Sequence, residues 1–162
     1  MKYLVESAFC CKLSQKNNWM KNTLLIALIC LLTVSCSKNE TNPNCLFLVN
    51  AGVDFTVNLN LPQFSELQYD NNSVYVANQG NGGVIVTKTG IGLFAWDAAD
   101  PNHAFSNCSI MTITGGINAK CNCEDENEYS LVTGQSLNGV LPCALKNYRV
   151  EPAGNNTFLI SN

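Results

Sequence analysis

The sequence predicts an all-β domain over residues 46–162, built from short antiparallel strands in a sandwich or a barrel. Apolar and polar residues alternate in short runs, which is typical of half-buried strands. Gly, Asn, Asp and Pro interrupt these runs about every ten residues, as turns do in all-β domains. No segment after residue 45 has a convincing helical periodicity, and the chain contains no internal repeat. These three observations favour strands over helices throughout the domain.

The predicted strands follow one another with a turn signal between neighbours. The first alternates regularly, with every second residue apolar from Phe55 to Leu61, and the third and fourth are denser runs of β-branched or aromatic residues. The predicted strands are FTVNLNL (55–61), SVYVA (73–77), VIVT (84–87), LFAW (93–96) and a closing strand, NTFLISN (156–162). The turn signals are YDNNS (69–73), NQGNGG (78–83) and KTGIG (88–92).

The charge of the chain limits its partners. From Cys36 onward, five basic residues stand against eleven acidic ones, a net charge of −6. No basic stripe is present to hold a phosphate backbone, so we expect no nucleic-acid partner. The sole histidine, His103, lies in no nucleophile-elbow or Cys-His signature, which argues against a hydrolase.

The N-terminal region predicts export and a lipid anchor. MKNTLLIALICLLTVSC (20–36) has a lysine at its second position and an apolar run of about eleven residues, which suits a signal peptide and is too short to span a bilayer. Its TVSC ending resembles a bacterial lipobox, with Thr33 where leucine is usual. That resemblance implies acylation of Cys36 and a location in the bacterial cell envelope; plain secretion is the alternative. We interpret residues 1–19 as an upstream extension or a mis-called start, and residues 37–45 as a tether.

Three later segments resemble the motifs of a Rieske domain, in particular that of Rieske-type lipoproteins from Bacteroidetes-like bacteria. They are DPNHAFSNC (100–108), CNCE (121–124) and TGQSLNGVLPCALKNYRV (133–150). The family pattern is a Cys-x-His loop with a further Cys, a Cys-x-Cys-His loop, and a glycine-rich turn before a Leu-x-x-Tyr-x-Val strand. The resemblance implies an all-β fold in which two loops at one tip hold a 2Fe-2S cluster.

The residues at the cluster-ligand positions argue against such a cluster. A Rieske centre takes two thiolates and two neutral imidazoles. The resemblance places Asp100, Asn102, Cys121 and Glu124 at these four positions, so only Cys121 keeps a family ligand. Asparagine offers no anionic or imidazole donor, and carboxylates are hard ligands where iron-sulfur chemistry favours soft ones. The sequence therefore predicts no cofactor, with a 2Fe-2S cluster on unusual ligands as the alternative.

Two other metal sites are open alternatives at the same loops. Asp100, His103, Cys121 and Glu124 together have the types and number of ligands that zinc takes. The acidic run EDENE (124–128) with Asp100 would offer oxygens to calcium, although it lacks the spaced signature of a calcium loop. The acidic run is more simply interpreted as a solvated acidic loop.

The remaining cysteines suggest disulfides in an exported domain. In the higher-potential Rieske subgroup the non-ligand cysteines of the two loops pair, which implies a Cys108–Cys123 bridge here. Cys45 and Cys143 are a second candidate pair. Spacing does not fix the connectivity, and Cys108 with Cys121 stays open.

The sequence thus supports a membrane-anchored envelope lipoprotein with a non-catalytic binding or accessory role, contacting an envelope protein through the loop tip. The alternative is an electron-transfer protein with a 2Fe-2S cluster and a redox partner. A structural zinc or calcium site at the tip is the third hypothesis.

Overall fold

A computed structural model describes residues 45–162. The predicted signal peptide, Cys36 and almost all of the tether lie outside the described residues. Within residues 45–162, no helix has the length and apolar character needed to cross a membrane. The described residues form nine strands and one 3-10 helix, so the predicted all-β fold of short antiparallel sheets is confirmed.

The elements follow the predicted order, with four further strands between the fourth predicted strand and the closing one. The strands are β1 (Asp54–Asn58), β2 (Asn72–Val76), β3 (Val84–Thr89), β4 (Gly92–Asp97), β5 (Thr112–Thr114), β6 (Asn118–Lys120), β7 (Glu128–Ser130), β8 (Asn147–Gly154) and β9 (Thr157–Ser161). The 3-10 helix spans Pro62–Gln68.

Two antiparallel sheets make up the domain. The larger has the strand order β1-β9-β8-β4-β3-β2, and the smaller has the order β5-β6-β7. The predicted turns at 78–83 and 88–92 connect β2 to β3 and β3 to β4 as antiparallel neighbours. β8 pairs with β4 through Ala95 and Trp96, which places the C-terminal strands beside the middle of the chain.

Each face of the larger sheet carries a hydrophobic core. Val84 and Val86 of β3 are buried in one core, and Ile85 between them is buried in the other. Successive side chains of a strand face opposite sides of the sheet, so a strand buried on both faces reads as a continuous apolar run. The second core also contains Trp96 and Tyr129, and the Trp96 indole donates a hydrogen bond to the Leu131 carbonyl at 2.7 Å. This core ties the smaller sheet to the larger one.

The first predicted strand is shorter than its alternation indicates. β1 ends at Asn58, and the chain then turns into the 3-10 helix, which buries Phe64 and Leu67. The expectation of no helical segment after residue 45 is therefore wrong for Pro62–Gln68. Pro62 lies at the helix start, where its missing N–H costs no hydrogen bond.

Candidate functional site

Two loops meet at one end of the second core, and we call them the tip loops. The first, residues 98–111, leaves β4, and the second, residues 121–127, joins β6 to β7. A bridge between Ala99 and Ile110 closes the base of the first loop. The Asn122 amide donates to the Cys108 carbonyl at 3.0 Å, so backbone hydrogen bonds also hold the loops together.

Two disulfides fix this region. Cys108 is bonded to Cys123 across the tip loops, and Cys45 is bonded to Cys143. Both pairs expected from the sequence are present, and the alternative pairing of Cys108 with Cys121 is not formed. Cys121 is buried, and it is the free cysteine of the described residues.

Asp100, at the first cluster-ligand position, is completely buried and its carboxyl is fully hydrogen-bonded. One carboxyl oxygen accepts hydrogen bonds from the Tyr129 hydroxyl at 2.5 Å and from the Asn102 backbone N–H at 2.8 Å. The other accepts from the Asn127 side chain at 2.9 Å. The carboxyl therefore takes up three donors from both tip loops and from β7.

Asn102, at the second cluster-ligand position, uses its whole side-chain amide in the same network. Its Nδ2 donates to the Tyr129 hydroxyl at 2.8 Å and to the Cys143 carbonyl at 2.7 Å. Its Oδ1 accepts from the Cys143 amide at 3.0 Å. Because Cys143 is pinned by its disulfide to Cys45, the network connects the tip loops to the segment before β8.

We call Asp100, Asn102, Asn127 and Tyr129 the tip network. Burial is the main cause that raises the pKa of the Tyr129 hydroxyl, and the hydrogen bond to Asp100 is the second. This group therefore stays a proton donor at neutral pH. Every buried side-chain nitrogen and oxygen of the described residues has a hydrogen-bond partner. The tip network therefore contains no unpaired buried side-chain nitrogen or oxygen.

Cys121, the one soft donor at the cluster-ligand positions, is held as a thiol. Burial, helped by the nearby Asp100 and Asp125, raises its pKa from 9.0 to about 12. A thiolate is the form that binds metals, so a metal at Cys121 would itself have to displace this proton.

The raised pKa predicts an alkaline loss of stability that depends on Cys121. Below about pH 9 the thiol is protonated in both the folded and the unfolded chain, and it favours neither. As the pH rises from about 9 to about 12, only the unfolded chain releases the proton, so the free energy of unfolding falls. Cys121→Ala removes this contribution, and we expect a shallower decline when denaturant unfolding is measured across this range. Equal slopes for the two proteins would contradict the assignment.

Glu124 and His103 lie outside the tip network. Glu124 is exposed, and His103 is half-buried with its Nδ1 2.7 Å from the Ala104 carbonyl oxygen. The structure does not bring Asp100, His103, Cys121 and Glu124 together as a metal site. Among residues 45–162, the metal-ligating groups that lie within 4.8 Å of one another are His103 with Cys108 and Cys123, and Cys121 with Cys123 and Asp125.

The donor set does not fit a Rieske cluster. A cluster of this type needs two thiolates and two imidazoles. Cys121 is a buried thiol, the atoms of Asp100 and Asn102 are engaged by protein donors and acceptors, and Glu124 offers a hard oxygen.

A second buried carboxyl supports the base of the first tip loop. Asp97 is completely buried at the end of β4, and its oxygens accept five hydrogen bonds. The donors are the amides of Asn81, Gly82 and Ala99, the Asn81 side chain and the Tyr148 hydroxyl. A Cβ on Gly80 would lie 2.5 Å from that hydroxyl, which explains a glycine in the NQGNGG turn.

The sequence did not point to Tyr129 or Asn127 as parts of the site. Asn127 lies within the acidic run EDENE and Tyr129 directly follows it, and neither belongs to a ligand motif. One signal was available: a buried tyrosine needs a partner for its hydroxyl, and Asp100 precedes a proline in a loop that must fold back on itself.

An exposed apolar patch lies beside the tip network. We define the apolar patch as Phe47, Val49 and Phe105, which are 47%, 66% and 56% exposed. They line a cleft of about 290 Å³. Phe47 also lines a second cleft, of about 490 Å³, together with Asn102, Asp125 and Leu141. Apolar surface, the tip network and an exposed carboxylate therefore adjoin one another.

Comparisons with known proteins give similarity of structure only. No family model matches the chain, and no curated protein matches it. One similar solved structure is named as an NADH-dependent nitrite reductase small subunit from Mycobacterium tuberculosis (15% identity, TM-score 0.40, covering 68% of this chain and 96% of that one). Another is the ferredoxin of carbazole 1,9a-dioxygenase from Nocardioides aromaticivorans IC177 (17% identity, TM-score 0.38, 57% of this chain and 86% of that one). A third is named as a nitrite reductase NADPH small subunit (22% identity, TM-score 0.39, 65% and 97%). At these identities and TM-scores we draw no functional conclusion from the similarity.

The disulfide across the tip loops predicts a measurable loss of stability in its absence. Its cysteines are 15 residues apart, and closing a loop of that length is expected to contribute about 3 kcal/mol. The double variant Cys108→Ser with Cys123→Ser should therefore lose about 3 kcal/mol in free energy of unfolding. Under a strong reductant the original protein and the variant should unfold alike. A difference that survives reduction would show that the loss does not come from the disulfide.

Proposed function

We propose that the chain is an exported, lipid-anchored envelope protein whose Rieske-like domain no longer holds a 2Fe-2S cluster and serves as a non-catalytic binding or accessory module. The observation that carries this proposal is the tip network. Asp100 and Asn102 stand at two of the four cluster-ligand positions. The polar atoms of both side chains are taken up by hydrogen bonds to other protein groups.

The tip network supports loss of the cluster through energetics as well as ligand type. A cluster at these positions would have to break the hydrogen bonds of Asp100 and Asn102, which leaves buried donors and acceptors without partners. Each such group costs about 1–3 kcal/mol. Stoichiometric iron and sulfide in the purified chain would contradict this half of the proposal.

Rigid tip loops beside an apolar patch support a binding role. Two disulfides and the tip network hold the loops through protein groups. Loops positioned by a rigid scaffold commonly carry recognition, and exposed apolar surface with a polar rim marks interaction sites. The apolar patch has such a rim, because Asp125 lines the adjoining cleft.

The charge of the surface indicates what kind of partner fits. Glu124, Asp125 and Glu126 are exposed, and of these only Glu126 forms one of the three ion pairs among the described residues, with Lys120 at 3.1 Å. We therefore expect a protein partner with an apolar contact surface and basic residues at its edge.

Site-specific photo-crosslinking in the native envelope tests the binding role. A crosslinker at Phe105, in the apolar patch, should give a discrete adduct with another protein. Ile91 is the matched control, since it is 83% exposed and lies in the turn at the opposite end of β4. Equal crosslinking at the two positions, or none at Phe105, would contradict the proposed contact surface.

The lipid anchor rests on the sequence around Cys36 and has its own test. Cys36→Ser removes the acylated thiol, and we expect the protein to move from the membrane fraction to the soluble fraction of the envelope. A membrane-bound Cys36→Ser variant would contradict acylation at this residue.

A further inference from the structure

Three cysteines and the sole histidine of the chain converge where the tip loops meet. The ligand atoms of His103, Cys108 and Cys123 lie within 4.8 Å of one another, and His103 Nδ1 is 3.7 Å from Cys123 Sγ. The ligand atom of Cys121 also lies within 4.8 Å of that of Cys123, in a second cluster with Asp125. Cys123 thus belongs to both clusters of ligands, and none of Cys108, Cys123 and His103 occupies a cluster-ligand position.

The disulfide decides whether these residues can bind a metal. A disulfide sulfur is not a thiolate, and the thiolate is the form of cysteine that coordinates metals. With Cys108 bonded to Cys123, the tip offers a metal one imidazole and one buried thiol. With the bond broken, it offers three thiols and one imidazole.

We propose that reduction of the Cys108–Cys123 disulfide converts the tip into a zinc site formed by Cys108, Cys121, Cys123 and His103. A dithiol reductant supplies two electrons and two protons, which break the S–S bond and leave two thiols, and the reductant becomes a disulfide. Zinc then replaces the protons of the three cysteine thiols, so three protons are released for each zinc bound. The neutral imidazole completes the set Cys₃His, which is a common structural zinc set.

Zinc binding requires the ligand atoms at the tip to adjust. Tetrahedral zinc, with Zn–S near 2.3 Å and Zn–N near 2.0 Å, places its ligand atoms about 3.5–3.8 Å apart. No two ligand atoms within either cluster are more than 4.8 Å apart, and the Cys108 and Cys123 sulfurs, 2.02 Å apart in the disulfide, separate toward that range once the bond is broken. His103 Nδ1 now donates to the Ala104 carbonyl, so binding through Nδ1 exchanges that hydrogen bond for the metal and leaves the ring proton on Nε2.

The site is open to a cation from solvent. His103 and Cys108 are half-buried, so one side of the cluster is accessible. The exposed carboxylates of Glu124, Asp125 and Glu126 make the local potential favourable to a divalent cation. The inference does not depend on the proposed function, because it uses the disulfide cysteines and needs no iron or sulfide.

Cobalt(II) is the probe for this site, since its absorption reports tetrahedral geometry and thiolate ligation. The purified chain, titrated with cobalt after reduction with a dithiol, should develop sulfur-to-cobalt charge-transfer bands that zinc then displaces. The oxidised chain should develop none. Cys121→Ser should retain a weaker spectrum, with two thiolates in place of three.

Three variants make the assignment falsifiable. His103→Ala leaves the disulfide intact; because loss of a ligand's outer partner alone costs about 10- to 100-fold in metal affinity, loss of the ligand should weaken cobalt binding by at least about tenfold. Cys108→Ser with Cys123→Ser should abolish the bands, while Cys45→Ser with Cys143→Ser should keep them. No bands in the reduced chain, bands that persist in the Cys108/Cys123 variant, or unchanged affinity in His103→Ala would each overturn the proposal.

Discussion

Replacing Asp97 by alanine is expected to lower the free energy of unfolding by about 4 kcal/mol or more. The substitution removes both acceptors of a completely buried carboxyl and leaves five hydrogen bonds unmade. Three of the orphaned donors are backbone amides in the turn before β3 and at the start of the first tip loop. Denaturant unfolding of the purified chain with its disulfides intact measures the loss.

Asp70→Ala is the matched control for Asp97→Ala. Asp70 is an aspartate of the same domain whose carboxylate is half exposed and pairs with Lys88 at 3.3 Å. An exposed pair of this kind contributes about 0–1 kcal/mol. If Asp97→Ala cost no more than Asp70→Ala, the Asp97 carboxyl would not be the support of the tip loops.

Replacing Asp100 by alanine is expected to cost about 3 kcal/mol, because it removes the acceptor at the centre of the tip network. The Tyr129 hydroxyl and the Asn102 backbone N–H lose their acceptor, and the Asn127 side chain keeps only its hydrogen bond to Asp125. Tyr129→Phe removes one of these donors, so its effect and that of Asp100→Ala should be strongly non-additive in the double variant.

Glu124→Ala provides the comparison for Asp100→Ala. Both residues stand at cluster-ligand positions and both are acidic, but Glu124 is exposed. We expect a change within about 0.5 kcal/mol for Glu124→Ala. Equal losses in the two variants would mean that Asp100 is no more a structural residue than Glu124.

Much of the larger sheet was predictable because its strands obey simple patterns. β3 and β4 are dense apolar runs between glycine-containing turns, and both turns form hairpins at the predicted places. The 3-10 helix was not predictable from alternation, because Leu59 and Leu61 continue the β pattern past the true end of β1. Tertiary burial of Phe64 and Leu67 decides the conformation there.

At the tip, the sequence identified the positions but not their roles. The residue types at Asp100 and Asn102 argue against a cluster, and the pairing of Cys108 with Cys123 followed from the resemblance. That Asp100 and Asn102 meet at the Tyr129 hydroxyl depends on side-chain directions between segments 27 to 29 residues apart. Local pattern carries no information on such contacts.

The tip network connects the two tip loops through protein groups. A cluster would otherwise join the first loop to the second, and here the Asp100–Tyr129 and Asp100–Asn127 hydrogen bonds and the disulfide make that connection. Buried polar networks of this kind rigidify a site when every member is satisfied.

Iron and acid-labile sulfide analysis of the chain, purified without oxygen from iron-replete cells, tests whether the domain has lost its cluster. We expect colourless protein with neither element above trace. Two irons and two sulfides per chain, with a 2Fe-2S absorption spectrum that is lost in Cys121→Ser, would contradict it and would make the chain an electron-transfer protein.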